Sequence, residues 1–118
     1  MAAVAAGCGA VGRVTSGDAT MGKQLFKDKC GSCHTLADAG TSGTIGPNLD
    51  DALRADKLQG FDLSTMRDLV RGQIAYPESD PGTGHPGMTP NLLNGQQARD
   101  VAVYVAQCAA VKNCKVSS

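Results

Sequence analysis

Apolar residues recur at helical spacing in three stretches of the chain and alternate with period two in none. In the first stretch Gly22 and Phe26 stand at i and i+4 with Leu25 beside them, and Asp18 or Thr20 can cap the start, so the pattern predicts a helix running to about Cys30. In the second, Met66, Leu69 and Val70 form a stripe at i, i+3 and i+4, which predicts a helix from Leu63 to Gln73 capped by Asp62 or Ser64. In the third, Asn94-Gly95-Gln96-Gln97 reads as a capping box. Val101, Tyr104, Val105 and Cys108 then give an apolar face to a final helix ending near Cys108. A shorter helix is expected from about Leu49 to Arg54.

The segments between these helices are rich in breakers. Ala39 to Gly46 is a glycine-rich loop expected to be irregular, and Tyr76 to Pro90 contains Pro77, Pro81, Pro86 and Pro90, which excludes helix and central strand. The expected class is therefore all-α, with three main helices, short ones and long loops. Loops of this length count against a compact fold unless they wrap around a ligand. The chain divides into a leader or linker over residues 1–17, a folded domain over 18–110 and a tail over 111–118.

Composition supports a ligand at the centre. With two Phe, two Tyr, no Trp and 15 Gly in 118 residues, the chain is short of bulky core material. A chain of this kind stripped of its ligand is expected to be poorly folded. Eleven basic and eleven acidic side chains give no net charge, which argues against a nucleic-acid partner. Lys23, Lys27 and Lys29 lie early and Asp50, Asp51, Asp56 and Asp62 later. That asymmetry suits orientation on a charged protein partner, and it suits ordinary solvated helix faces equally well.

The chemistry is concentrated in Cys30-Gly31-Ser32-Cys33-His34. C-x-x-C-H is the pattern of covalent haem attachment. Residues three and four apart share a face of a helical turn, so two thioether sulfurs and an imidazole can meet one macrocycle. A thiol-disulfide oxidoreductase would need a strand before the motif and a βαβ pattern around it, and neither is present. A zinc site would need a fourth ligand, which a second knuckle would normally supply. A plain Cys30–Cys33 disulfide would leave His34 without a purpose.

Five cysteines suggest an oxidising compartment. Cys108 and Cys114 are spaced to close a small disulfide beyond the last helix, or else remain two free thiols. Cys8, in Ala5-Ala6-Gly7-Cys8-Gly9, has the small-residue setting of a lipoprotein acylation site, although the seven residues before it are too few for a signal segment. An incidental cysteine in a small-residue tail is the other reading.

Taken together these segments resemble the small single-haem class I cytochromes c of bacteria. The resemblance covers roughly residues 18 to 108, in the order helix, C-x-x-C-H, Gly-Pro-Asn-Leu, middle helix, Met loop and terminal helix. It implies a class I cytochrome c fold wrapped around one haem c. It also implies that Gly46-Pro47-Asn48-Leu49 supplies, through the Pro47 carbonyl, the acceptor that orients the imidazole of His34. Gly22 and Phe26 match the pattern by which the first helix crosses the last, here at Tyr104. Met88, in Pro86-Gly87-Met88-Thr89-Pro90, matches the axial Met, although the family often has Pro directly after it and Thr89 intervenes here. His85 and an open sixth position remain the alternatives. Met66 reads as core, and Met21 lies too near the first helix to reach the far face. Asn48, Tyr76 and Arg71 are polar groups near haem-facing segments, and surface solvation explains each of them equally well.

The implied cofactor-binding residues are thus Cys30, Cys33, His34, Pro47 and Met88, with His34 and Met88 on the iron. The implied activity is one-electron transfer without catalysis, by a monomer in the periplasm or another extracytoplasmic space, either free or lipid-anchored through Cys8. Partners would be redox proteins such as a membrane oxidoreductase or a terminal oxidase. The alternatives are a gas sensor or peroxidase with an open sixth site, and a fragment of a larger membrane oxidoreductase.

Overall fold

The computed structural model of the chain describes Val14, residues 16–77 and residues 87–116. Within them run helix α1 (Ala19–Lys29), strand β1 (Thr35–Leu36), one 3-10 turn (Ala37–Ala39), strand β2 (Thr41–Ser42), and helices α2 (Leu49–Leu58), α3 (Leu63–Ala75) and α4 (Gly95–Cys108). His85 and Cys8 lie outside the described residues.

Three of the four helices start on a side chain that accepts an otherwise orphaned backbone N–H. Asp18 accepts from Met21 N at 3.1 Å, Asn48 from Asp51 N at 3.2 Å and Asp62 from Thr65 N at 2.9 Å. Helix α4 departs from expectation, because the capping box does not form and Asn94 makes no side-chain cap bond. Gly95, the first helical residue, has φ +58°, which turns the chain away from the geometry in which residue 94 meets the helix amides. Gln96 instead reaches forward, its Nε2 donating to Asp100 Oδ1 at 2.8 Å.

Helix α4 is the centre of the molecule. Ala98, Asp100 to Ala106 and Cys108 are all buried, since α1 and α3 both pack on it. The crossing with α1 occurs at Gly22, where a methyl group would overlap the Asp100 carbonyl and lie 2.8 Å from Tyr104 Cβ. One turn on, the rings of Phe26 and Tyr104 meet edge to face with centroids 6.2 Å apart, a pairing that contributes about 0.5–1.5 kcal/mol beyond its buried area. Helix α3 presents Met66 and Ile74 to the core with Val70 half-buried between them. Leu69, expected in that stripe, is 42% exposed. The buried ridge follows i, i+4, i+8, and Leu69 sits about 100° around the helix from Val70.

The glycine-rich segment holds more order than its composition suggests. Thr35 pairs with Ser42 and Leu36 with Thr41 in an antiparallel ladder, and Gly40 makes the turn between them at φ +72°. Two residues per strand are too few to leave an alternating pattern, and the fold remains mostly helical.

Packing also extends beyond the helices at both ends. Val14, within the segment read as leader, is 4% exposed, and its N–H donates to Asp68 Oδ1 at 2.8 Å. Beyond α4, Cys108 and Cys114 are joined in a disulfide, and Cys114 and Val116 pack against the core. Helix α2 is fastened to the same end: Asp50 accepts from Ala37 N at 2.8 Å and Ala110 N at 2.7 Å, and Lys57 Nζ donates to Ala109 O at 2.9 Å. Among the described residues no helix is long and apolar enough to cross a membrane.

Candidate functional site

The C-x-x-C-H segment forms a tight turn at the end of α1. Cys30 caps the helix by donating its N–H to Phe26 O at 2.8 Å, and its own carbonyl then accepts from Cys33 N at 3.1 Å and His34 N at 3.0 Å. Successive turn bonds onto one oxygen gather Cys30, Cys33 and His34 within a single turn of chain, as the spacing predicts. Both cysteines are half-buried free thiols, so the reading as a plain disulfide does not hold. Burial, and then the neighbouring Cys33, push the Cys30 thiol up to about 11.

Two glycines let the following loop close over this turn. A methyl at Gly31 would lie 2.5 Å from Thr41 Cγ2, and one at Gly43 would lie 2.6 Å from the Ser32 carbonyl. Thr41 Oγ1 donates to His34 O at 2.9 Å, and Gly46 N donates to Cys33 O at 2.7 Å, so strand β2 and the segment that follows it clasp the motif. Gly46 belongs to the Gly-Pro-Asn-Leu segment that the sequence marks, but nothing in the sequence marks Thr41, since a threonine inside a glycine-rich loop is too common to stand out.

His34 Nδ1 lies 2.9 Å from the Pro47 carbonyl oxygen. A carbonyl can only accept, so Nδ1 carries the hydrogen, and in the neutral imidazole the lone pair is then on Nε2. This is the tautomer that an axial imidazole needs, held in orientation by an outer hydrogen bond. Gly46 packs directly on the ring: a methyl there would lie 2.5 Å from Cε1 and 2.8 Å from Nδ1.

The other residues separate clearly. Met88 is half-buried in the segment leading to α4, and three residues on Asn91 N donates to Ile74 O at 2.8 Å, which fastens the Met88 segment to the end of α3. Met66 is 3% exposed in the core, and Met21 is exposed on α1. Asn48 serves as the α2 cap, and Tyr76 is 65% exposed. Arg71 is 6% exposed, with Nε and Nη1 buried and lacking a hydrogen-bond partner among the described residues; Arg67 Nε, one turn earlier, is in the same condition.

Two free thiols and an oriented imidazole on one turn fit a covalently held iron porphyrin, and unpartnered buried guanidinium atoms fit a group that brings its own carboxylates. Among the described residues no cluster of His, Cys, Asp and Glu forms a separate metal site. The family model for cytochrome c matches residues 19–109. The fold is similar to that of the c-type cytochrome SorU from Sinorhizobium meliloti, with a TM-score of 0.50 and 24% identity, over 77% of this chain and 90% of that one. SoxXA from P. pantotrophus aligns with a TM-score of 0.47 and 19% identity, over 80% of this chain and 84% of that one.

Proposed function

This chain belongs to the cytochrome c family, with haem c as its covalently bound cofactor and electron transfer as its activity, and on that premise we propose that it is a one-electron carrier with His34 and Met88 as axial ligands. Cys30 and Cys33 supply the thioether sulfurs. When bound, the haem supplies a ferric–ferrous couple; everything else is set by the polypeptide.

The observation that carries this reading is the hydrogen bond from His34 Nδ1 to Pro47 O, because it leaves Nε2 as the free lone pair on the same turn as two unpaired thiols. Pro47 acts through its carbonyl, fixing the imidazole plane and raising its basicity. Met88 offers a soft, neutral thioether that favours the ferrous state relative to a second imidazole. With His34 and Met88 both holding the iron, no ligand position would be left for a substrate, and one-electron transfer is the chemistry the haem would supply. The Cys108–Cys114 disulfide supports an extracytoplasmic, oxidising location. Partners are redox proteins that dock briefly, such as a membrane oxidoreductase or a terminal oxidase.

The test is the visible spectrum of the holoprotein with and without Met88. Ferric wild-type protein is expected to show the weak long-wavelength band of a sulfur-ligated haem and to ignore carbon monoxide when reduced. Met88→Ala should lose the band and bind carbon monoxide rapidly. Persistence of the band in Met88→Ala would exclude this ligand, and rapid carbon monoxide binding by the wild type would favour a gas-binding or peroxidase role.

A further inference from the structure

We propose that Asp50 is a positioning residue for the axial imidazole, its carboxylate fixing where the Pro47 carbonyl stands against His34; the inference rests on the cofactor reading above and adds a residue that it does not name. Three ties join the C-x-x-C-H turn and the residues after it to the segment that leads into α2. Gly46 N donates to Cys33 O at 2.7 Å, His34 Nδ1 lies 2.9 Å from Pro47 O, and Ala37 N donates to Asp50 Oδ2 at 2.8 Å. Each pair is 13 residues apart, so residues 33–37 and 46–50 run side by side in one register. The His34 bond lies inside that stretch. Gly46 closes one end of it and Asp50 the other.

The second oxygen of Asp50 reaches a different part of the fold. Oδ1 accepts from Ala110 N at 2.7 Å, so one half-buried carboxylate joins α2, the 3-10 turn and the chain just past α4. Ala110 has φ +61°, the left-handed region that penalises a Cβ. With Ala109 at φ −65° and ψ 133°, this is the backbone of a type II turn, closed by Val111 N donating to Cys108 O at 3.2 Å, and such a turn favours glycine where Ala110 stands. Strain of this kind persists only where the surroundings over-determine it. Asp50, the acceptor for the Ala110 N–H, supplies that constraint.

A carboxylate in the first turn of a helix is generally explained by the helix dipole, and Asp51 answers to that description: it is exposed and accepts from Arg54 Nη1 at 2.8 Å on its own helix. Asp50 differs, because both of its oxygens bond outside α2. Asn48 caps α2 by accepting from Asp51 N, so Pro47, one residue earlier, moves with the start of a rigid element. At the other end Lys57 Nζ donates to Ala109 O, about 10 Å further along the axis. Losing Asp50 therefore frees the start of α2 while Lys57 still holds its end, and the loss is felt at Pro47. The bond to Pro47 sets the orientation and basicity of the imidazole, and a more basic axial nitrogen favours ferric iron. Asp50 thus holds the potential down through a bond it does not itself make.

The experiment follows the Nδ1 proton of His34 and its exchange with solvent by NMR in the ferrous holoprotein, together with the reduction potential. Asp50→Ala should speed the exchange by about tenfold or more, the opening that loss of a hydrogen bond to a charged group permits, and should raise the potential. Asp50→Asn, whose amide has one acceptor oxygen in place of two, should fall between Asp50→Ala and wild type. Asp51→Asn removes the same charge from the same turn, and Lys57→Met loosens the far end of α2. Both should exchange at the wild-type rate, and Asp51→Asn should move the potential less than Asp50→Asn does. Should Asp50→Ala fail to assemble, Asp50→Asn against Asp51→Asn still decides the matter. Wild-type exchange in coloured, folded Asp50 variants would overturn the proposal alone. Equal effects of Asp50→Asn and Asp51→Asn would do so by reducing the role of Asp50 to its charge, and equal effects of Asp50→Ala and Lys57→Met by reducing it to a general loosening of α2. Wild-type protein without covalently attached haem would remove the functional reading and this inference with it.

Discussion

The hydroxyl of Tyr104 donates to Asp38 Oδ2 at 2.6 Å, and Lys23 Nζ stands 3.4 Å from the same oxygen. One carboxylate thereby ties α4 and α1 to the 3-10 turn after β1. Burial raises the ionisation point of Tyr104, and the hydrogen bond and charge of Asp38 raise it further. A tyrosine whose folded pKa lies above the ordinary value of about 10 contributes stability that is fully present below that pH. It is lost as the pH climbs further, because the unfolded chain releases the proton first. Tyr104→Phe should therefore cost about 1–3 kcal/mol at neutral pH and flatten the decline above about pH 10. Denaturant unfolding at the two pH values checks both effects, and an equal alkaline slope in wild type and variant would contradict the account.

At Gly22 two opposing effects can be weighed. Alanine is the better helix former by about 0.8–1.0 kcal/mol, but its methyl would meet the backbone carbonyl of Asp100 and Tyr104 Cβ rather than a side-chain end that can swing aside. Forcing the helices apart costs about 1–3 kcal/mol or more, so Gly22→Ala should be destabilising, with α1 displaced from α4. A melting temperature at or above that of the wild type would show that the crossing is looser than the packing implies.

Much of this architecture is written in local chemistry that a sequence displays. Asp18 and Asp62 cap helices as their positions before apolar stripes suggest, and Gly22, Phe26 and Tyr104 meet as a small-residue crossing requires. What the pattern hides has physical reasons. Helix α4 is buried almost all round because its extra contacts are made by Ala98, Ala102 and Ala106, residues too small to mark a face, and by Val103 on the side away from Val101 and Val105. The β1–β2 pairing is too brief to alternate. Arg67 and Arg71 pass for solvated surface, since charge normally means exposure, and only the fold reveals that their nitrogens are enclosed.

The disulfide beyond α4 sets a further expectation. Cys108 is fully buried and Cys114 half-buried, and their link keeps the last described residues against the core. Closing a loop this short restricts the unfolded chain by about 2 kcal/mol. Replacing both with alanine should lower the melting temperature by several degrees, about what a change of this size produces in a domain of this length. Release of the segment should also appear as faster amide exchange at Lys115 and Val116. Unaltered exchange there would mean that packing alone holds the segment.

The contact between Gly46 and His34 offers the sharpest test of how the imidazole is held. A methyl on residue 46 would lie 2.5 Å from Cε1, 2.8 Å from Nδ1 and 3.0 Å from Nε2, directly on the ring. Retreat is blocked on both sides: Gly46 N is bonded to Cys33 O at 2.7 Å, and the next residue, Pro47, holds Nδ1 at 2.9 Å. Gly46→Ala must therefore either turn the imidazole and break its outer hydrogen bond, or lift the loop from the C-x-x-C-H turn. Either change weakens the axial nitrogen, because ligand orientation and basicity both depend on that bond. Ferric holoprotein carrying Gly46→Ala is expected to show a larger high-spin fraction by electron paramagnetic resonance and a shifted potential, with covalent haem content near that of wild type. A low-spin spectrum and potential identical to wild type would mean that the ring has room the packing does not reveal.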